Sequence, residues 1–252
     1  MLRRFHHVFF GFAFLLGGGC ASISGPGPEP SDADAATLNY ELGSRYMLQG
    51  HFDVALEKLN KALSFNDSFP EAHNAIALLY EQTGQETLAE HHYRRAIELD
   101  ADFIRAKLNY AQFLCTHGKP TEGEKQFLAV ATGSPVDSAD VYEAYTGAAV
   151  CALAIPDRKQ ADAYLRKALE LKPNDASLLY RLADLSYGEG EYLKARAFLQ
   201  RYHASAGYSP ESLWLGISIE EKLGDSPLRR QYTQMLLSDF ADSDAARRVR
   251  TK

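Results

Sequence analysis

Three cysteines and two adjacent histidines are the residues of this 252-residue chain whose types and spacing invite a chemical reading. Cys20 follows Gly17-Gly18-Gly19, after a basic start at Arg3 and Arg4 and an apolar stretch from Val8 to Leu16. A basic opening, a short apolar run and small residues make an export signal. Small residues before a cysteine are also what lipoprotein signal peptidase reads, and the cysteine then becomes the lipidated new N-terminus. Leu16 stands four residues before Cys20, where three is usual, and the competing reading is an ordinary secretory signal with a chance cysteine. Cys115 and Cys151, 36 residues apart, allow either a disulfide in an oxidising compartment or two buried thiols. His91 and His92 project to different faces of a helix, cannot chelate one ion together, and read as solvated helix residues.

No catalytic set accompanies these residues. The chain has no Gly-rich phosphate loop, no metalloprotease helix motif and no Gly-flanked nucleophilic serine. Its Asp and Glu side chains are dispersed over helix faces. The expectation is a non-enzyme without catalytic residues, metal, cofactor or small-molecule substrate, whose one covalent group is the lipid on Cys20.

Lipidation has a clear physical consequence. Each buried methylene contributes about 0.8 kcal/mol, so two or three acyl chains hold a protein on a membrane for its lifetime. No stretch of about 18 to 25 apolar residues is present to span a bilayer. Ala21 follows the cysteine, where an Asp would resemble an inner-membrane retention signal, so the expected destination is the outer membrane, facing the periplasm. Removing residues 1–19 takes two of 27 basic residues and none of the 33 acidic ones, changing the net charge from −6 to −8. That acidity excludes a general nucleic-acid binder. An apolar fraction of 46% excludes disorder throughout. Residues 20–35, with Pro26, Pro28 and Pro30 alternating, read as lipidated cysteine plus flexible tether. That tether reaches roughly 20 Å as a coil and about 45 Å stretched.

The remaining chain is a repeat. Gly50, Gly84 and Gly118 are each 34 residues apart. The same interval relates Tyr46, Tyr80 and Leu114; Ala55, Ala89 and Gly123; Leu59, Tyr93 and Phe127; and Ala62, Ala96 and Val130. A column of small residues (Gly43, Ala77, Ala111) permits helices to approach within about 8–10 Å. The aromatic column fills the space between copies, since one helix pair cannot bury both faces alone. Apolar residues recur at helical spacing, as in Leu56, Leu59 and Leu63. The register slips by four residues at Gly133-Ser134-Pro135-Val136, a loop signal, and then resumes with Ala149 and Ala183, Ala161 and Ala195, and Leu165 and Leu199. Pro156 replaces the turn glycine of the fourth copy, and Pro173 marks its end. A weaker sixth copy covers Ser209 to Phe240, with Gly216 at the close-packing position and Gly224 at the turn.

This periodicity resembles the tetratricopeptide repeat, which implies an all-α solenoid of about six helix-turn-helix copies. They occupy residues 36–243 and start near 36, 70, 104, 142, 176 and 209. A basic tail, residues 244–252, carries Arg247, Arg248, Arg250 and Lys252 and reads as a solvated end or, in a sharper version, a lipid-facing patch.

Two segments carry a narrower resemblance: Leu108-Asn109-Tyr110-Ala111-Gln112-Phe113-Leu114-Cys115 and Ala148-Ala149-Val150-Cys151-Ala152-Leu153. They resemble the type IV pilus biogenesis lipoproteins called pilotins, and the likeness spans Leu38 to Phe240. It implies a Cys115–Cys151 disulfide and a non-enzymatic role: binding the pilus secretin, carrying it to the outer membrane and promoting its assembly. The client-facing residues expected on the inner surface of the first helices are Tyr40, Ser44 and Met47, then Asn74, Leu78 and Glu81, then Gln112. Arg105 and Asn109 join them by helical spacing. The Lys and Asn clamp that other tetratricopeptide proteins use for a terminal carboxylate is missing, because Tyr40 and Ser44 stand at its first-copy positions. A different periplasmic adaptor on the same fold, serving a protease, a cell-wall enzyme or a barrel-assembly machine, is the alternative.

Overall fold

The computed structural model describes residues 31–133, 136–155, 158–224 and 226–251; Cys20, the expected export signal, Pro135 and Pro156 lie outside the described residues. Helices pair in chain order: α1 (Asp32–Leu48) with α2 (Phe52–Phe65), α3 (Pro70–Gln82) with α4 (Glu86–Leu99), and α5 (Ile104–Thr116) with α6 (Pro120–Ala131). The series continues with α7 (Ser138–Ala154) and α8 (Arg158–Leu171), α9 (Ala176–Gly188) and α10 (Tyr192–Ala206), and α11 (Pro210–Leu223) and α12 (Ser226–Asp239); α13 (Asp244–Arg250) closes the chain. No strand occurs among the described residues. Each hairpin packs on the next, so the core runs along the stack rather than into one centre.

The turn of the second copy shows why glycine recurs. Gly84 adopts φ 73°, which places its N–H on the Glu81 carbonyl at 3.1 Å and the Gln85 N–H on the Tyr80 carbonyl at 2.8 Å. A residue with a Cβ resists that left-handed conformation, and the two bonds satisfy carbonyls the helix end leaves open. The small-residue column works by contact. A Cβ on Gly43 would stand 2.7 Å from Leu59 Cγ, and one on Gly147 would stand 2.3 Å from Phe127 Cζ.

Three expectations are corrected. The tether does not run to residue 35: Ser31 accepts the Asp34 N–H at 3.2 Å and Asp34 accepts the Ser31 N–H in return, a capping box that starts α1 at Asp32. The fourth first helix begins at Ser138 rather than near 142, because Asp137 accepts the Ala139 and Asp140 N–H groups. α7 thus has 17 residues where α5 has 13, about one turn more. The basic end is a short helix rather than a tail, although Arg247, Arg248 and Arg250 are exposed on it. Ser243 caps α13, and Ala245 and Ala246 are buried against α11 and α12, which would otherwise expose the last hairpin's apolar edge.

Candidate functional site

The first helices lie side by side along one face of the stack, and polar side chains link them there. Asn109 Nδ2 on α5 donates to Asn74 Oδ1 on α3 at 3.0 Å, and Asn74 is buried. Arg105 extends from α5 to α7, with Nη1 donating to Glu143 at 2.8 and 2.9 Å and Nη2 lying 3.7 Å from Asp140. Between α5 and α7 opens a cavity of about 260 Å³, lined by Leu108, Asn109, Gln112, Phe127, Tyr142, Glu143, Thr146, Gly147 and Val150. Exposed Gln112 presents an amide at its edge, while Leu108 and Phe127 form an apolar floor. Apolar depth with amides at the rim suits an extended or helical polypeptide: burial supplies area and the amides fix the backbone.

The other predicted residues are placed differently. Tyr40 stacks obliquely on Phe69 with ring centroids 5.1 Å apart, and Met47 packs on the same N-terminal cluster. Ser44 is half-buried on α1. Leu78 packs into the core around Tyr93, and Glu81 accepts the Tyr93 hydroxyl at 2.7 Å, inside its own hairpin. Burial and that carboxylate neighbour push the Tyr93 phenol far above its usual range. The structure thus brings Asn74, Arg105, Asn109 and Gln112 to one surface and leaves the first-copy residues at the far end.

Cys115 and Cys151 form a disulfide, with Cα atoms 5.3 Å apart, that ties α5 to α7 beside this cavity. Gly123 makes room for it, since a Cβ there would meet Cys115 Sγ at 2.5 Å. Tyr142 donates to Asp175 Oδ2 at 2.8 Å with Lys172 Nζ 3.7 Å from its ring centre, and burial raises its phenol.

Sequence reasoning missed Tyr142, Glu143, Thr146 and Val150. The register slip hid them, although counting back from Ala149 puts Thr146 and Val150 at the repeat positions that Leu108 and Gln112 occupy in the third copy. The reading of both histidines as solvated is also corrected. His91 is exposed, but His92 turns toward α3 and places Nδ1 2.9 Å from His73 Nδ1, with Tyr80 beside it. Burial, then the neighbouring His73 and His91, lower the His92 pKa to about 4.

Stacked helix pairs with a 34-residue period and a polar-rimmed inner face define a tetratricopeptide-repeat protein, a scaffold rather than an enzyme. Tetratricopeptide repeat profiles match residues 43–84, 70–103 and 152–210. In sequence the chain is 28% identical over 218 residues to the type IV pilus assembly protein PilF of Pseudomonas aeruginosa, the match covering 85% of each chain. A solved structure of Pseudomonas aeruginosa PilF superposes with a TM-score of 0.70 at 25% identity, covering 87% of this chain and 98% of that one. The structure of PilW, a type IV pilus biogenesis factor, gives 0.68 at 21% identity, covering 85% and 97%, which shows the shared fold.

Proposed function

We propose that the protein is a type IV pilus biogenesis lipoprotein that binds secretin subunits on the inner face of its first helices and brings them to the outer membrane. The observation that carries this reading is the similarity to PilF across most of both chains, in sequence and in fold. Acyl chains on Cys20 hold the solenoid at the periplasmic face of the outer membrane through a short tether. A client gripped in the α5–α7 cavity is thereby kept near the membrane at an effective concentration of about the millimolar range. Folding stays separate from anchoring, because the cysteine precedes α1, the first helix of the stack.

Two variants test the reading. Cys20→Ala leaves the solenoid folded and client binding intact but strands secretin away from the outer membrane, read by membrane fractionation. Gln112→Arg combined with Val150→Arg fills the cavity edge with charge at two exposed positions and abolishes co-purification of secretin while melting as the parent does. Normal secretin rings with Cys20→Ala, or a cell-wall enzyme or barrel protein in place of secretin in the co-purified material, refutes it.

A further inference from the structure

The C-terminal end of the stack carries a second, larger surface. An open groove of about 860 Å³ runs between α11, α12 and α13 and includes none of the residues of the α5–α7 cavity. Its apolar lining is Trp214, Ile217, Leu237 and Val249, and exposed Arg229 and Arg230 stand along it. Within the stack, the corresponding side of each hairpin is covered by the first helix of the next copy. Here that place falls to α13, which has 7 residues where α11 has 14. It buries Ala245 and Ala246 and leaves the rest of the slot open.

The charge around the slot departs from that of the chain. The charged side chains that line it are Arg229 and Arg230 against Glu221, two basic to one acidic, whereas the whole chain has 27 basic and 33 acidic ones. Neither Arg229 nor Arg230 has an ion pair or side-chain hydrogen bond among the described residues. Exposed guanidiniums beside a recessed apolar strip match one ligand chemistry: a strip of leucine-like side chains flanked by carboxylates, which a helix about 10 Å wide presents along its length. A flat bilayer does not reach apolar residues recessed between helices.

We propose that this groove docks an acidic amphipathic helix of a partner protein, which takes the place a further first helix would fill. The site is separate from the inner face and serves as a second point of attachment in the assembly the scaffold joins.

Trp214, the only tryptophan in the chain, sits in the groove and reports on its occupation. The probe is a synthetic helical peptide of 14 residues, the length of α12, with leucine on one face and glutamate on its flanks; its counterpart carries lysine for every glutamate. Titrating the glutamate peptide into the whole chain shifts the Trp214 emission to the blue and saturates, and the lysine peptide does not. The pair Arg229→Glu and Arg230→Glu weakens the glutamate peptide by about tenfold or more while leaving the thermal melt unchanged. No saturable shift, equal binding of both peptides, or undiminished binding by the double variant overturns the proposal. So do two further outcomes that assign the surface elsewhere. One is a Trp214 shift with phosphatidylglycerol vesicles but not with peptide. The other is self-association of the chain that the same two substitutions abolish.

Discussion

Gly147→Ala tests the packing that places α7 against α6. A methyl group built on Gly147 meets three atoms of the Phe127 ring, Cζ at 2.3 Å, Cε1 at 2.5 Å and Cε2 at 2.7 Å. Phe127 is only 2% exposed, so its ring has no route into solvent. In an open helix, glycine to alanine stabilises by about 0.5–1 kcal/mol. Overpacking a core costs about 1–3 kcal/mol, and three contacts inside van der Waals range put this site toward the upper figure. The net expectation is a loss of about 1–2 kcal/mol, or roughly 2–8 °C in Tm for a chain of this size. Thermal unfolding followed by far-ultraviolet circular dichroism measures it. Adding Phe127→Leu, which withdraws the ring, recovers part of the loss, and the double-mutant cycle gives a coupling of about 1 kcal/mol. The reasoning is refuted if Gly147→Ala is as stable as the parent, or if the two effects simply add. Because Gly147 and Phe127 both line the α5–α7 cavity, the same variant also weakens the client capture proposed for it.

Reducing the Cys115–Cys151 disulfide, or replacing both residues with serine, removes a cross-link over a sequence separation of 36. The loop-closure estimate for that length is about 3–4 kcal/mol, and a melt with and without reductant checks it. Arg196→Met strands the Glu220 carboxylate, which is 1% exposed and paired to the guanidinium. Leaving a buried charge without its partner costs about 3–5 kcal/mol, measured by urea unfolding. His92 and His203 are held neutral by burial, with pKa values lowered to about 4. The unfolded chain therefore binds more protons between its ordinary histidine range near pH 6.5 and about 4, so stability falls as pH drops through that window. Melts across that range show the decline, and His92→Gln makes it shallower while His203 keeps the remainder; a pH-independent Tm refutes the assignment.

By itself the sequence determined the repeat. Glycine turns, small-residue columns and aromatic columns recur at one interval because each hairpin meets the same local demand: a left-handed turn, a close crossing, and a face its neighbour must cover. Those demands act over a few residues, so they are written in the order of the chain. The segment up to Cys20, proposed above as an export and lipidation signal, is a local pattern of the same kind. What faces what across the stack is decided only in three dimensions. Asn74 finds Asn109 and Arg105 reaches Glu143 because stacking sets the first helix of one copy beside that of the next, and His92 finds His73 where the two helices of one hairpin pack together. The slipped register left Gly133 and Val136 in the connection after α6 and gave α7 17 residues where α5 has 13, which set Tyr142 and Glu143 beside the third copy. The basic end likewise became α13, because an uncovered last hairpin presents apolar surface that Ala245 and Ala246 can bury. Periodicity fixes what each element is; stacking geometry, which depends on insertions and on how the last copy is closed, fixes which side chains meet.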